Sequence, residues 1–300
     1  MNGILTVDKP KGITSFGVIA KLRRILNEKK IGHCGTLDPM ATGVMTVLCG
    51  NCTRFCLLLP DTDKEYIASF SLGIETDTLD ITGRVISEKK VNVKTLDVEN
   101  ALNNFTGEIV QVPPMYSAVS VGGERLYELA RKGIEIERKP RIVNIYNTDL
   151  LAGDENSNEY KIRVACSSGT YIRSLISDLG NSLGCGAVLT SLRRTKANGF
   201  DITDCNSLET LKDAAEKGIV SEYLLPIDQA LKDYPEIIVT DNQSVRFKNG
   251  GELFTERLSM TLDRGYCRVY NRTGVFLGIG EFDGSDTMKV KRVYKSDEQF

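Results

Sequence analysis

Gly32-His33-Cys34-Gly35-Thr36-Leu37-Asp38-Pro39-Met40-Ala41-Thr42-Gly43 is the stretch on which the reading of this chain turns. Three glycines and a proline (Gly32, Gly35, Pro39, Gly43) permit or impose unusual backbone around one acid, the only histidine and two hydroxyls. Such a loop can hold a carboxylate in a fixed direction against apolar walls. A plainer reading is an Asp-Pro turn in which Asp38 bonds only to nearby backbone amides. Local composition leaves both open.

Outward from the loop, residues 44–48 are apolar and read as a strand. Upstream, 4–7 is a short strand ending in the turn Asp8-Lys9-Pro10-Lys11-Gly12, and Thr14 or Ser15 can cap a helix striped with Phe16, Val18, Ile19, Leu22, Ile25 and Leu26. Downstream, 64–72 alternates Tyr66, Ala68, Phe70 and Leu72 onto one face. Residues 96–105 read as a helix, and Gly122-Gly123 as a turn into a helix over 124–131. Strands are expected at 141–151 and 160–166, then a helix carrying Tyr171, Ile172, Leu175, Ile176, Leu179 and Leu183. Near residue 233 the pattern changes to short strands (237–239, 265–270, 275–282, 288–294) with one helix at about 243–248. The chain is expected to be α+β. It would have a mixed, largely antiparallel sheet in a larger domain over 1–232 and a small β-rich domain over 235–300.

Composition bounds the function. The 300 residues suffice for two domains, and 41% hydrophobic with 26% charged residues is ordinary for a globular chain. The formal net charge is −2, yet residues 1–60 carry eight basic side chains against three acidic ones. That lopsidedness suits an anionic partner docking at the N-terminal part and argues against bulk-charge coating of nucleic acid. The opening apolar stretch is too short for an export signal, and no run of about 20 apolar residues could span a membrane. A cytoplasmic protein with no membrane partner is expected. Cys49-x2-Cys52-x3-Cys56 has no nearby fourth ligand, so buried small hydrophobes are the favoured reading, with no metal and no disulfide. There is no Walker A loop, and Gly278-Ile279-Gly280 lies inside a strand pattern rather than opening a helix. No G-x-S-x-G elbow is present to build a serine triad.

The run Gly32–Gly43 resembles the catalytic motif G-H-x-G-T-L-D-P-x-A-x-G of the bacterial tRNA pseudouridine synthase B (TruB) family. The resemblance extends along the chain in order. It includes the opening strand with Asp8-Lys9-Pro10-Lys11-Gly12, Lys64-Glu65-Tyr66, and Pro114-Met115-Tyr116-Ser117-Ala118 with Gly123 to Gly133. It continues through Gly169-Thr170-Tyr171-Ile172-Arg173, Leu192-Arg193-Arg194, and an end domain containing Phe247-Lys248-Asn249-Gly250 that is similar to a PUA-type RNA-binding domain. Cys34 departs from the family, where a hydroxyl residue is familiar.

The resemblance implies a synthase that isomerises the T-loop uridine of tRNA (position 55) to pseudouridine, without a cofactor. It implies that Asp38 is the catalytic aspartate, that Arg173 pairs with it, and that Tyr66 stacks on the target base near C5. Tyr171 would be a second active-site tyrosine, Leu192 an apolar wall on the uracil, and His33 an occupant of the space the flipped base leaves. The target must be flipped out of its stack, at a cost of a few kcal/mol offset in the pocket. Phosphate contacts are expected from Lys9 and, in a thumb-like insertion over about 114–142, from Arg131, Lys132, Lys139 and Arg141. The expected partner is the T-arm of tRNA, met by a monomeric enzyme with no guide RNA. Compact length and the lack of basic tails argue against the guide-dependent type. A tRNA-folding chaperone with no need of catalysis is the rival from another class.

Overall fold

The computed structural model describes residues 1–60 and 62–295; the last five residues of the expected end domain, 296–300, lie outside the described residues. The principal element is a nine-stranded sheet. Its strands run across the molecule in the order Gly3–Lys9, Thr42–Cys49, Ala187–Ala197, Lys64–Leu72, Glu159–Cys166, Arg141–Asp154 and Gly107–Gln111. Ile31–Cys34 also pairs with Thr42–Cys49, and Phe200–Asp201 with Ala187–Ala197. Every pairing is antiparallel except a short parallel contact of Arg193 and Arg194 with Thr42 and Gly43, so the sheet is mixed and largely antiparallel, as expected.

The alternation in Lys64–Leu72 explains its place near the centre. Tyr66, Ala68, Phe70 and Leu72 are buried while their neighbours are half-exposed, and Phe70 stacks on Tyr160 with ring centroids 5.6 Å apart. Helices Thr95–Asn103 and Ile172–Ser182 cover this part of the sheet, burying Val98, Leu175, Ile176 and Leu179 completely. Each such side chain contributes roughly 1.5–3 kcal/mol. Helices Ser15–Ile25, whose N-cap is Thr14, and Leu208–Glu216 cover the Gly3–Lys9 end.

Two expectations change. Residues 124–131 are not one helix: Glu124–Arg125 pairs with Ser120–Val121, and only Leu126–Arg131 is helical. Gly122 and Gly123 both have positive φ (61° and 91°), the pair of left-handed residues that closes a tight hairpin rather than opening a helix. The long strand Ala187–Ala197 has no counterpart among the expected elements, although it occupies the middle of the sheet.

A second, five-stranded sheet begins at Glu236 and closes over Phe247 of helix Asp241–Lys248. It is packed against the larger body through Phe55, Phe276 and Tyr294, whose ring centroids lie 5.6–6.3 Å apart. The Tyr270 hydroxyl donates to Asp228 Oδ2 across the same seam at 2.8 Å. Among the described residues no helix is long and apolar enough to cross a membrane.

Candidate active site

The loop between Ile31–Cys34 and Thr42–Cys49 leaves the sheet at Gly35 and re-enters it at Thr42 beside Arg193 and Arg194. While outside the ladder, its backbone needs other partners, and nearly every carbonyl has one. Arg194 Nη2 and Nη1 donate to Gly35 O (3.2 Å) and Thr36 O (3.4 Å). The Ser15 hydroxyl donates to Leu37 O (3.0 Å) and accepts from Leu37 N (2.8 Å). Asp38 O accepts from Ala41 N, and Pro39 O from Gly12 N. Lys9 Nζ donates to Ala41 O (2.7 Å), Pro10 O (3.0 Å) and Pro39 O (3.4 Å).

Lys9 therefore corrects the expectation that it meets RNA phosphate. Its side chain is fully buried, and burial pulls its ammonium down to about 8, against the attraction of Asp38. A cation so placed holds the loop from beneath. Gly43 is equally constrained: at φ 106° it lies so close to the backbone of Arg194 that a Cβ would overlap it.

Asp38 stands at the crest of the loop with about a third of its side chain open (34%). Arg173 Nε meets its Oδ2 at 2.9 Å. Arg173 itself is buried, and its remaining nitrogens donate to Thr78 O (2.9 Å) and Tyr116 O (2.7 Å). Asp80, also buried, lies 3.7 Å from Arg173 Nη1 on the far side. Burial pushes the Asp38 carboxyl up; the charge of Arg173 opposes that, while Asp80 adds to it. Leu79, between Thr78 and Asp80, takes a left-handed φ of 62°, a conformation costly for leucine. Arg173 belongs to the first turn of helix Ile172–Ser182, whose N-cap residue, Tyr171, makes no side-chain cap bond. Gln111 instead clamps the Tyr171 backbone, accepting from its N at 2.7 Å and donating to its O at 3.0 Å.

Two cavities meet at Asp38. One, of about 340 Å³, is lined by Asp38, Tyr66, Ile172, Tyr171, Arg173 and Leu192 among others. The other, of about 720 Å³, opens on the opposite side and is lined by Asp38, His33, Phe16, Tyr116, Arg125 and Arg131 among others. Tyr66 is buried, which pushes its phenol up, and the charge of Arg194 pulls the other way. His33 is held below its ordinary value by burial and then by the charge of Arg194, and its Nδ1 has no hydrogen-bond partner among the described residues. The six expected pocket residues thus gather around one point, with His33 in the wider cleft.

The expected thumb contacts are spread more loosely. Arg131, Lys132 and Lys139 are exposed, with Lys132 paired to Glu124 at 3.2 Å and Arg131 lying over the Tyr127 ring. Arg141 is half-buried, its guanidinium 5.3 Å from the Tyr171 ring centroid. It lies against a ring that lines the smaller cavity. Cys34 Sγ lies 2.9 Å from Cys56 Sγ, and all eight cysteines carry free thiols.

Asp80 and Gln111 do not stand out in the sequence, and Ser15 and Arg194 show there only as a possible helix cap and as part of Leu192-Arg193-Arg194. Asp80 has a local signal, since Thr78 and Thr82 flank it and both donate to its Oδ1. The other three are polar residues recruited by elements distant in sequence, which leaves no local trace.

This geometry agrees with the comparisons to known proteins. Residues 23–172 match the TruB family pseudouridylate synthase N-terminal domain. Residues 173–232 match the tRNA pseudouridylate synthase B C-terminal domain, and 235–294 the C-terminal region of pseudouridine synthase II TruB. The fold also resembles a chain of a Cbf5-Nop10-Gar1 complex, with a TM-score of 0.76 at 26% identity, covering 97% of this chain and 84% of that one. The matched domains are those of a pseudouridylate synthase. Within that class the chain belongs to the TruB family. It is 44% identical over 281 residues to a tRNA pseudouridine synthase B of Clostridium kluyveri (93% of this chain, 95% of that protein). It is 45% identical over 288 residues to one of Dehalococcoides mccartyi (95% and 94%).

Proposed function

We propose that this chain is a tRNA pseudouridine synthase acting on the T-loop uridine (position 55), with Asp38 as its catalytic carboxylate. The observation that carries the reading is the Asp38–Arg173 ion pair at the mouth of a cavity walled by Tyr66, Tyr171 and Leu192, in a chain of the TruB family. The flipped uracil enters that cavity between the Tyr66 ring and Leu192. Asp38 then acts at the sugar, as a nucleophile on C1′ or as the base that yields a glycal. Either way the N1–C1′ bond breaks, the base turns, C5 bonds to C1′, and the proton on C5 leaves as N1 gains one. Nothing is consumed, so the residues need only position charge. Arg173 counters the upward pull of burial on the carboxyl and keeps the anion available. The Tyr66 hydroxyl lies where the C5 proton departs. His33, neutral at physiological pH, stacks or hydrogen-bonds in the wider cleft, and Arg131 and Lys139 meet phosphate without a guide RNA.

The test is the purified chain alone with an unmodified tRNA transcript carrying uridine tritiated at C5. Release of one tritium per tRNA, lost when position 55 is changed to cytidine, is the expected result. A chain that binds the transcript and releases none overturns the reading.

A further inference from the structure

We propose that Arg194 is a positioning residue of this site, one guanidinium that fixes the backbone leading to Asp38 from a position directly opposite Tyr66, coupling the two. The proposal rests on the roles given above to Asp38 and Tyr66. Arg194 is completely buried. In register it stands between Gly43 on one side and Tyr66 on the other. It is therefore placed where the Asp38 loop has left the sheet and where the strand bearing Tyr66 adjoins.

Its fork spans the gap. Nε donates to Val44 O at 2.7 Å, inside the sheet, while Nη1 and Nη2 donate to Thr36 O and Gly35 O, outside it. These two carbonyls are the ones that lost strand partners when the chain peeled away. The guanidinium replaces the missing ladder and ties the loop to the strand it will rejoin. Tyr66 is the residue directly opposite Arg194 across the strand pair, and the charge of the guanidinium acts on its phenol. Five N–H groups in a rigid plane can serve three carbonyls in different directions; a lysine ammonium cannot reproduce that spread.

Charge gives a second, separate indication. Among the described residues no carboxylate is ion-paired with Arg194, whereas Arg173 is flanked by two. A buried cation compensated by carbonyl dipoles is costly to keep. Its charge reaches the site: it acts on His33, Lys9 and Tyr66 alike. A residue needed only to fill the core between two strands would be met more cheaply by leucine or methionine.

Arg194→Lys, which keeps charge but loses the fork, is compared with wild type and Tyr66→Phe, measuring single-turnover rate at saturating tRNA and tRNA Kd separately. The expected result is a fall in rate of about 100-fold, the size that a displacement near 1 Å produces, with Kd within about twofold. Combined with Tyr66→Phe, the loss should be smaller than the product of the two separate losses, because the two residues are directly opposed neighbours whose effects couple. Multiplicative losses, or a folded Arg194→Lys enzyme with a near-normal rate, would overturn the proposal. Arg194→Gln, which can still serve one carbonyl, is the second variant and should fall between the two. If circular dichroism shows neither variant folded, Arg194 holds the fold rather than positioning the site, and the proposal is equally lost. A wild-type chain that makes no pseudouridine would instead overturn the functional reading before any variant is compared.

Discussion

The loop carrying Asp38 and the segment over 114–140 both border the two cavities, yet they are held by opposite means. The loop has almost no regular structure, but its carbonyls are fastened by donors from two distant stretches: Lys9, Gly12 and Ser15 from one, Arg194 from the other. The 114–140 segment has a hairpin and a helix, but both are short, and only Pro114, Ser117, Leu126 and Leu129 are buried in it. Regular structure and rigidity have come apart. The part proposed to do chemistry is irregular and over-determined; the part proposed to meet RNA is regular and weakly anchored, as would befit a surface that must adapt to a folded nucleic acid.

The sharpest way to break this comparison is at its centre. Asp38→Asn keeps size and packing but removes the charge, so pseudouridine formation should fall by at least about 1,000-fold while tRNA affinity stays near wild type. Turnover of more than a few per cent would remove Asp38 from the chemistry. Next in size is Tyr66→Phe, which keeps the ring and deletes the hydroxyl. A loss of about 100-fold in single-turnover rate with little change in binding is expected, and a normal rate would leave the hydroxyl without a chemical role.

Lys9→Met asks whether the loop owes its rigidity to a buried cation. The rate should fall at least about tenfold at unchanged Kd, as expected for a misplaced carboxylate. Stability gives an independent reading. Between about pH 8 and the ordinary lysine value of 10.5, the unfolded chain holds a proton that folded Lys9 has shed. Stability therefore rises with pH across that window in wild type but not, through this group, in Lys9→Met. Urea unfolding at pH 7.5 and pH 10 should show the difference between the two proteins shifting in favour of wild type by up to about 3 kcal/mol. No pH dependence in that difference would mean that Lys9 is solvated in solution.

The smallest effect belongs to the thumb. Arg131→Ala with Lys139→Ala should weaken tRNA binding about tenfold and lower the salt slope by roughly one unit per lost phosphate contact, with the rate at saturating tRNA hardly changed. If saturating tRNA cannot restore the rate, docking and catalysis are coupled, and the contrast between the two regions dissolves.

Legibility in the sequence obeys the same division. Strand Lys64–Leu72 can be bounded because one face is buried and the other half-open, the arrangement that imprints alternation. The gathering of Asp38, Tyr66, Arg173, Tyr171 and Leu192 comes through family motifs, which carry three-dimensional neighbours along a one-dimensional text. Polar residues in the interior stay hidden. Ala187–Ala197 ends in Leu192-Arg193-Arg194-Thr195-Lys196, which looks like a solvated run, although Arg194 is wholly enclosed. Lys9 is assigned to RNA for the same reason: charge is read as surface until an acceptor from elsewhere is known. The Gly122-Gly123 turn misleads because two glycines signal a reversal but do not specify the element beyond it.

The aromatic seam of Phe55, Phe276 and Tyr294 has a consequence for the order in which the molecule can be made. Phe55 leaves the ribosome more than 200 residues before Phe276 and Tyr294, which cover it. Asn2 and Asn51, at the front of the chain, likewise wait for the Lys295 carbonyl to which they donate. The large sheet can close as soon as Ala187–Ala197 has emerged, because all its strands precede that point apart from Phe200–Asp201. One flank of it must then stand bare while the small sheet is completed. Nascent chains stalled before residue 276 should accordingly hold a folded catalytic body with a sticky side, a natural point for a chaperone to attend.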